Sequence, residues 1–116
     1  MKQSDVIAAL ACLGNDSQLN IFRLLVRAGA GGLPGNQIAQ RLHLSLSALI
    51  LALNQLKGGG LVAFHGDGES VVFNANCPVM NKVLAYLIET CGEGRGLVSD
   101  VGNEVAPTLQ QSYAIH

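Results

Sequence analysis

Residues 44–56 read LSLSALILALNQL. Apolar side chains recur every three to four positions, the period of a helix. Ser45 suits its N-cap, because a serine hydroxyl can accept hydrogen bonds from the free N–H groups of a first turn. The segment stops before Gly58-Gly59-Gly60, a run suited to a helix C-cap and a turn. Leu46, Ile50 and Leu51 cannot share the inward face of this helix with Leu49, Leu53 and Leu56, since the two sets span most of the circumference. Aliphatic surface is therefore expected outside, where such patches mark an interface or a degenerate site.

The upstream sequence supplies partners for this helix. Pro34 suits the first turn of a helix running to about Leu42, where its missing N–H costs nothing. Ile38, Ala39 and Leu42 would face inward. His43 and Leu44 leave a tight connection, so residues 34–42 and 45–57 are expected to form a helix-turn-helix. A preceding helix over 17–28 would bury Leu19, Ile21, Phe22, Leu24 and Leu25, place Arg23 and Arg27 on its wet side, and take Asp16 or Ser17 as its cap. A first helix over 4–13 carries Val6, Leu10 and Leu13 on one face.

After the glycines the period changes from 3.6 to 2. LVAFH (61–65) and SVVFN (70–74) flank Gly66-Asp67-Gly68-Glu69, and Asp-Gly between alternating strands signals a hairpin. Pro78 opens a last helix over about 79–90, with Met80, Leu84, Leu87 and Cys91 in one stripe. Residues 1–91 read as one domain and 92–116 as a flexible C-terminal tail without clear periodicity. The expected fold is mainly α with a small β-hairpin, a winged helix-turn-helix with an extra helix at each end.

Composition narrows the function. Seven Lys and Arg stand against eight Asp and Glu, a formal charge of −1. That argues against a strong non-specific nucleic-acid binder, which would carry a basic patch and a high pI. No apolar run approaches the ~18 residues of a membrane span, and the N-terminus lacks the layout of a signal peptide. A soluble, cytoplasmic chain with no membrane partner is expected. No Ser/His/Asp set or carboxylate pair is discernible, and Gly58-Gly59-Gly60 lacks the strand and helix that would frame a phosphate loop. No enzymatic activity is expected.

The stretches SQLNIFRLLVRAGAGGLPGNQIAQRLHLS (17–45), LNQLKGGGLV (53–62) and MNKVLAYLIETCG (80–92), with the wing between the last two, resemble the ArsR/SmtB family of bacterial transcriptional repressors. The likeness covers residues 6–91. It implies a homodimer paired through the first and last helices. Such a dimer binds operator DNA and releases it when a metal, metalloid or redox signal alters it. It also implies that Ser45 and Ser47 open the recognition helix, and that Ala48, Ile50, Leu51 and Ala52 stand where the family often has hydrogen-bonding or basic residues. The wing departs as well, with Asp67 and Glu69 near a turn that commonly carries Arg or Lys.

The candidate DNA contacts are Arg41, His43, Ser45, Ser47, Gln55, Lys57 and His65. Between Arg41 and Lys82, Lys57 is the one Lys or Arg, against two acids. Each Lys or Arg on a phosphate makes log K fall by ~0.9 per decade of salt, so a dimer with so few contacts is expected to bind operator double-stranded DNA weakly. Bidentate base readout is worth ~1–3 kcal/mol and could come from Asn54, Gln55 or His43, of which the first two lie late on a helix that usually reads with its first turns. His43 and His65 are equally well explained as surface or capping residues, and Arg23, Arg27 and Arg41 as a solvated face. An alternative expectation is a degenerate winged helix that keeps the dimer, binds protein and has lost its operator.

Cys12, Cys77 and Cys91 are an odd set, and stable disulfides are not expected in a reducing compartment. They read as small buried or partly exposed apolar residues, or as a Cys12–Cys91 redox pair. The same two could serve as thiolate ligands for arsenite or another soft metal. Arsenic-responsive members of the family resemble this chain at Cys91, although Gly92 stands where they have a second cysteine. The last helix lacks the Asp and His ligands of zinc-sensing relatives, and no tetrahedral zinc set is apparent. No other cofactor is expected.

Overall fold

A computed structural model of the chain describes residues 1–66 and 70–92, with side chains up to Glu89. The helices are α1 (Gln3–Ala11), α2 (Asp16–Ala28), α3 (Gly35–Leu42), α4 (Leu46–Gly58) and α5 (Cys77–Gly92). A 3-10 turn occupies Gly29–Gly31, and three short strands follow it, β1 (Leu33–Pro34), β2 (Val62–His65) and β3 (Val72–Ala75). Met1–Val83 is one compact unit, and Leu84 onward belongs to a second, the division falling inside α5.

Ile21, Leu25, Ile38, Leu56, Leu61 and Val83 are the largest fully buried side chains. They come from α2, α3, α4, the start of the wing and α5, so every element around the helix-turn-helix contributes to one core. Burial inverts part of the expected pattern on the first two helices. On α1, Val6, Ala9 and Cys12 turn inward while Leu10 is exposed and Leu13 half-buried. Small residues let α1 approach closely, which the larger Leu10 would prevent. On α2, Ile21, Phe22 and Leu25 are buried, but Leu19 is exposed and Leu24 half-buried.

The caps and the sheet also differ from expectation. Asn15, rather than Asp16 or Ser17, caps α2, its Oδ1 accepting from the N–H groups of Ser17 (2.9 Å) and Gln18 (3.3 Å). Asn in an extended conformation is among the favoured N-caps. Pro34 stands at the N-cap of α3, one position before its first turn. It lies in β1, which pairs antiparallel with β3 through Leu33↔Phe73 and Pro34↔Val72. The wing is thus a three-stranded antiparallel sheet in the order β1-β3-β2. A proline is tolerated here because β1 is an edge strand of the sheet. Helix α5 begins at Cys77, two residues early, because the Asn76 side chain accepts from the Val79 N–H (3.4 Å). The tail boundary expected after residue 91 falls in the last turn of α5, and residues 93–116 lie outside the described residues.

Two contacts position α4. At its C-terminus Gly60 adopts φ +81°. The Leu61 N–H donates to Leu56 O (3.0 Å) and the Gly60 N–H to Lys57 O (2.9 Å). That is a Schellman closure, sealed by apolar contact between the two leucines, both fully buried. Beside it, α1 crosses so closely that a Cβ on Gly59 would stand 2.5 Å from Cys12 Sγ and 2.9 Å from Ala8 O. Gly59→Ala is therefore expected to lower unfolding free energy by about 1–3 kcal/mol in a urea titration. Adding Cys12→Ala should restore part of that loss and not all, since the Ala8 carbonyl is backbone. Full tolerance of Gly59→Ala would refute the close crossing.

Candidate nucleic-acid interface

The α3–α4 connection is built for a sharp reversal. His43 takes the left-handed conformation with φ 56°, and the Leu44 N–H donates to Ala39 O (2.9 Å), closing α3. His43 is exposed, and its backbone performs the cap. Ser45 follows as the N-cap of α4, its Oγ accepting from the Ala48 N–H (3.1 Å) and lying 3.4 Å from Ser47 Oγ. Ser45 is thereby engaged in holding α4 as well as standing at its exposed start.

Helix α4 sorts its side chains cleanly. Leu49, Ala52, Leu53 and Leu56 are buried, whereas Leu46 is 70% exposed, Leu51 60% and Ile50 50%. The outward face thus carries Ser47, Ile50, Leu51 and Asn54, flanked by Leu46. Ala52, expected among the reading positions, belongs to the core. The remaining polar residues diverge. Gln55 is exposed and lines a shallow depression with Asn15, Ser17, Ala48 and Leu51, on the α2 side. Lys57 points the other way, toward the wing, its Nζ 4.1 Å from the centroid of the Phe64 ring.

Phe64 and Phe73 are directly opposed in the β2–β3 register, with ring centroids 6.1 Å apart, a separation typical of favourable aromatic pairs. Together with Ile50, Leu53, Asn54, Lys57 and Val71 they line a groove of about 190 Å³ between α4 and the wing. Among the candidate contacts, Lys57 is thus drawn onto the wing, Arg41, His43, Ser45 and Ser47 follow one another through the α3–α4 connection, and Gln55 lies on the opposite flank. Exposed His65, the last residue of β2, pairs with Val72 of β3. Asp67 and Glu69 lie outside the described residues. Sequence reasoning missed Phe64 and Phe73, although their two-residue alternation beside an Asp-Gly turn placed them on one face.

The cysteines separate. Cys12 is buried, its thiol donating to Ala9 O (3.1 Å), and desolvation pushes that thiol above its ordinary pKa against the weaker opposing pull of its backbone hydrogen bond. Gln18, also buried, donates from Nε2 to Cys12 O. Cys77 is exposed, and the Cys91 side chain lies outside the described residues. Among the described residues no three His, Cys, Asp or Glu side chains gather as a metal site, and no helix is long and apolar enough to cross a membrane.

Comparison with solved structures agrees with this architecture. The chain superposes on an ArsR-like transcriptional regulator from Rhodococcus sp. RHA1 with a TM-score of 0.70 at 24% identity, covering 87% of this chain and 93% of that one. It also superposes on the homodimeric winged helix-turn-helix DNA-binding domain of a possible ArsR-family regulator from Mycobacterium bovis, with a TM-score of 0.59 at 23% identity, covering 78% and 80%. The fold is a winged helix-turn-helix. No protein-family model matches the chain, and no curated protein matches it.

Two outcomes follow from the site as built. Ser45→Ala should lower stability by about 0.5–2 kcal/mol in thermal or chemical melts, by removing the α4 cap. In the native protein at neutral pH, iodoacetamide should label Cys77 before Cys12, with Cys12 labelling rising only at alkaline pH, read by peptide mass spectrometry. The sign is fixed by burial. The folded state holds the neutral thiol, so the stability it contributes is complete at neutral pH and is lost as pH rises past the unfolded thiol's value. Equal labelling of both at pH 7 would contradict the burial.

Proposed function

We propose that the protein is a dimeric DNA-binding transcriptional repressor of the ArsR kind. The observation that carries this reading is a helix-turn-helix whose second helix presents its exposed face beside a wing, in a fold that superposes over most of its length on an ArsR-like regulator. The homodimeric state of the mycobacterial domain supports pairing here too. Within this chain α1 exposes Ile7 and Leu10, and α5 exposes Leu84, Leu87 and Ile88 at the i, i+3, i+4 spacing of one stripe. Apolar stripes on the terminal helices are the surface a helical dimer needs.

DNA contact on this reading is sparse. Arg41 and Lys57 from each subunit are the exposed cations nearest α4 in sequence, and four phosphate contacts give a salt slope of about −3.6 in log K against log salt. Ser47 and Asn54 are the polar groups of the outward face, and thymine methyls can meet Ile50 and Leu51. A response to arsenite, another soft metal or oxidation through Cys12 and Cys91 is the finer part of the proposal. Cys12 would have to leave its contact with Gly59 to take part, so binding there would be coupled to the α1–α4 packing. Arsenite stoichiometry per dimer by native mass spectrometry, with and without Cys91→Ser, tests it, and an unchanged stoichiometry rejects Cys91 as a ligand.

The exposure of Leu46, Ile50 and Leu51 favours a second reading, a winged helix that binds protein through α4 and no longer holds an operator. Titration of labelled DNA from the protein's own promoter at low salt separates the two. A repressor gives a sequence-dependent complex at micromolar protein or below, and Lys57→Ala makes its salt slope shallower by about 0.9 for each phosphate the lysine had neutralised. No sequence-dependent complex in that range leaves the protein-binding reading standing. Leu51→Gln should change stability by no more than about 0.5 kcal/mol, so either outcome can be traced to that surface.

A further inference from the structure

We propose that the groove between α4 and the wing is a binding site for a small hydrophobic carboxylate, an aryl or compact branched acid. Its walls are Phe64, Phe73, Ile50 and Leu53, and its rim carries the Lys57 ammonium and the Asn54 amide. Among the described lining residues Lys57 bears the sole charge, so the groove matches a ligand with an apolar body and one negative head.

Size restricts the ligand further. A cavity of ~150 Å³ lined by apolar side chains holds a benzene molecule, so about 190 Å³ gives room for one ring with a carboxylate or a few methyl groups. The walls are poised for it. Phe64 is 48% exposed and Ile50 50%, so both rest partly in water that an apolar ligand would displace. The Lys57 ammonium already rests over the Phe64 ring, so much of the cost of ordering a flexible lysine is met before binding. An ammonium has three donors, and the ring face engages one side of it. The remainder can meet a carboxylate, with the exposed Asn54 amide as a second donor.

The consequence for DNA rests on the proposed function. Ile50 and Asn54 belong both to the groove and to the outward face of α4, so a bound acid and an operator would compete. An inducer could then be an organic acid acting directly at the reading surface.

The site is tested without DNA. The full chain is titrated with 4-isopropylbenzoate and followed by calorimetry and by chemical-shift changes at Phe64 and Phe73. One saturable site per protomer is expected, weakened about ten-fold by Lys57→Gln or by substituting the neutral 4-isopropylbenzamide, because each removes one charge-assisted hydrogen bond. No saturation at millimolar ligand, or affinity indifferent to Lys57→Gln, would overturn the assignment. Decanoate binding as tightly as the aryl acid would overturn it too, since that would be adhesion to greasy surface. A chain that binds the acid and never binds DNA keeps the site and removes the repressor. One that binds DNA and ignores the acid does the reverse.

Discussion

The Schellman turn through Gly59, Gly60 and Leu61 sets the relation between α4 and the wing, and most of the functional surface depends on that relation. By closing Leu56 against Leu61, both fully buried, it fixes the rotation of α4 about its own axis. That rotation decides which aliphatic residues reach the core and which do not. It also sends β2 away at an angle that brings Phe64 beneath Lys57. A left-handed residue at position 60, with φ +81°, is what lets the chain turn there, and glycine adopts that conformation without steric penalty.

A helix apolar on all sides is ordinarily buried on all sides. Helix α4 is not, and the reason lies in its neighbours. Helices α1, α2 and α3 and strand β2 pack against it and bury Leu49, Ala52, Leu53 and Leu56, leaving Leu46, Ile50 and Leu51 exposed. Leucine is a strong helix former, so exposing these side chains costs the monomer little in folding stability and instead leaves apolar area uncovered. Selection for stability alone gives no account of three such residues side by side. Those three residues are the apolar surface on which the proposed readings differ.

Much of this was legible in the sequence, because periodicity reports elements that meet one core. The helix-turn-helix, the Ser45 cap, the glycine turn and the outward aliphatic stripe of α4 all followed from spacing. What escaped did so for identifiable reasons. The strand at Leu33–Pro34 is two residues long, and its pairing with β3 is a long-range contact that no local pattern encodes. The inward face of α1 was misjudged because hydrophobicity favoured Leu10, whereas the helix turns Val6, Ala9 and Cys12 inward and crosses Gly59 closely through Ala8 and Cys12. Asn15 prevailed over Asp16 and Ser17 because three adjacent residues are all competent caps, and the backbone chooses among them. The groove was invisible because it forms between residues from α4, β2 and β3.

The wing raises a question of charge that the lysine answers. The sequence between β2 and β3 carries Asp67 and Glu69, and neither strand contains a Lys or Arg. Lys57 comes from the last turn of α4, where a cation is also favoured by the helix dipole. Laid across the Phe64 ring, it is held on the wing side rather than ranging over the solvent, because an ammonium gains ~0.5–2 kcal/mol over an aromatic face. The positive charge beside the groove is then carried by a helix residue on an aromatic support, and that support is also a wall of the groove. Whatever occupies the groove must therefore act on Lys57 first.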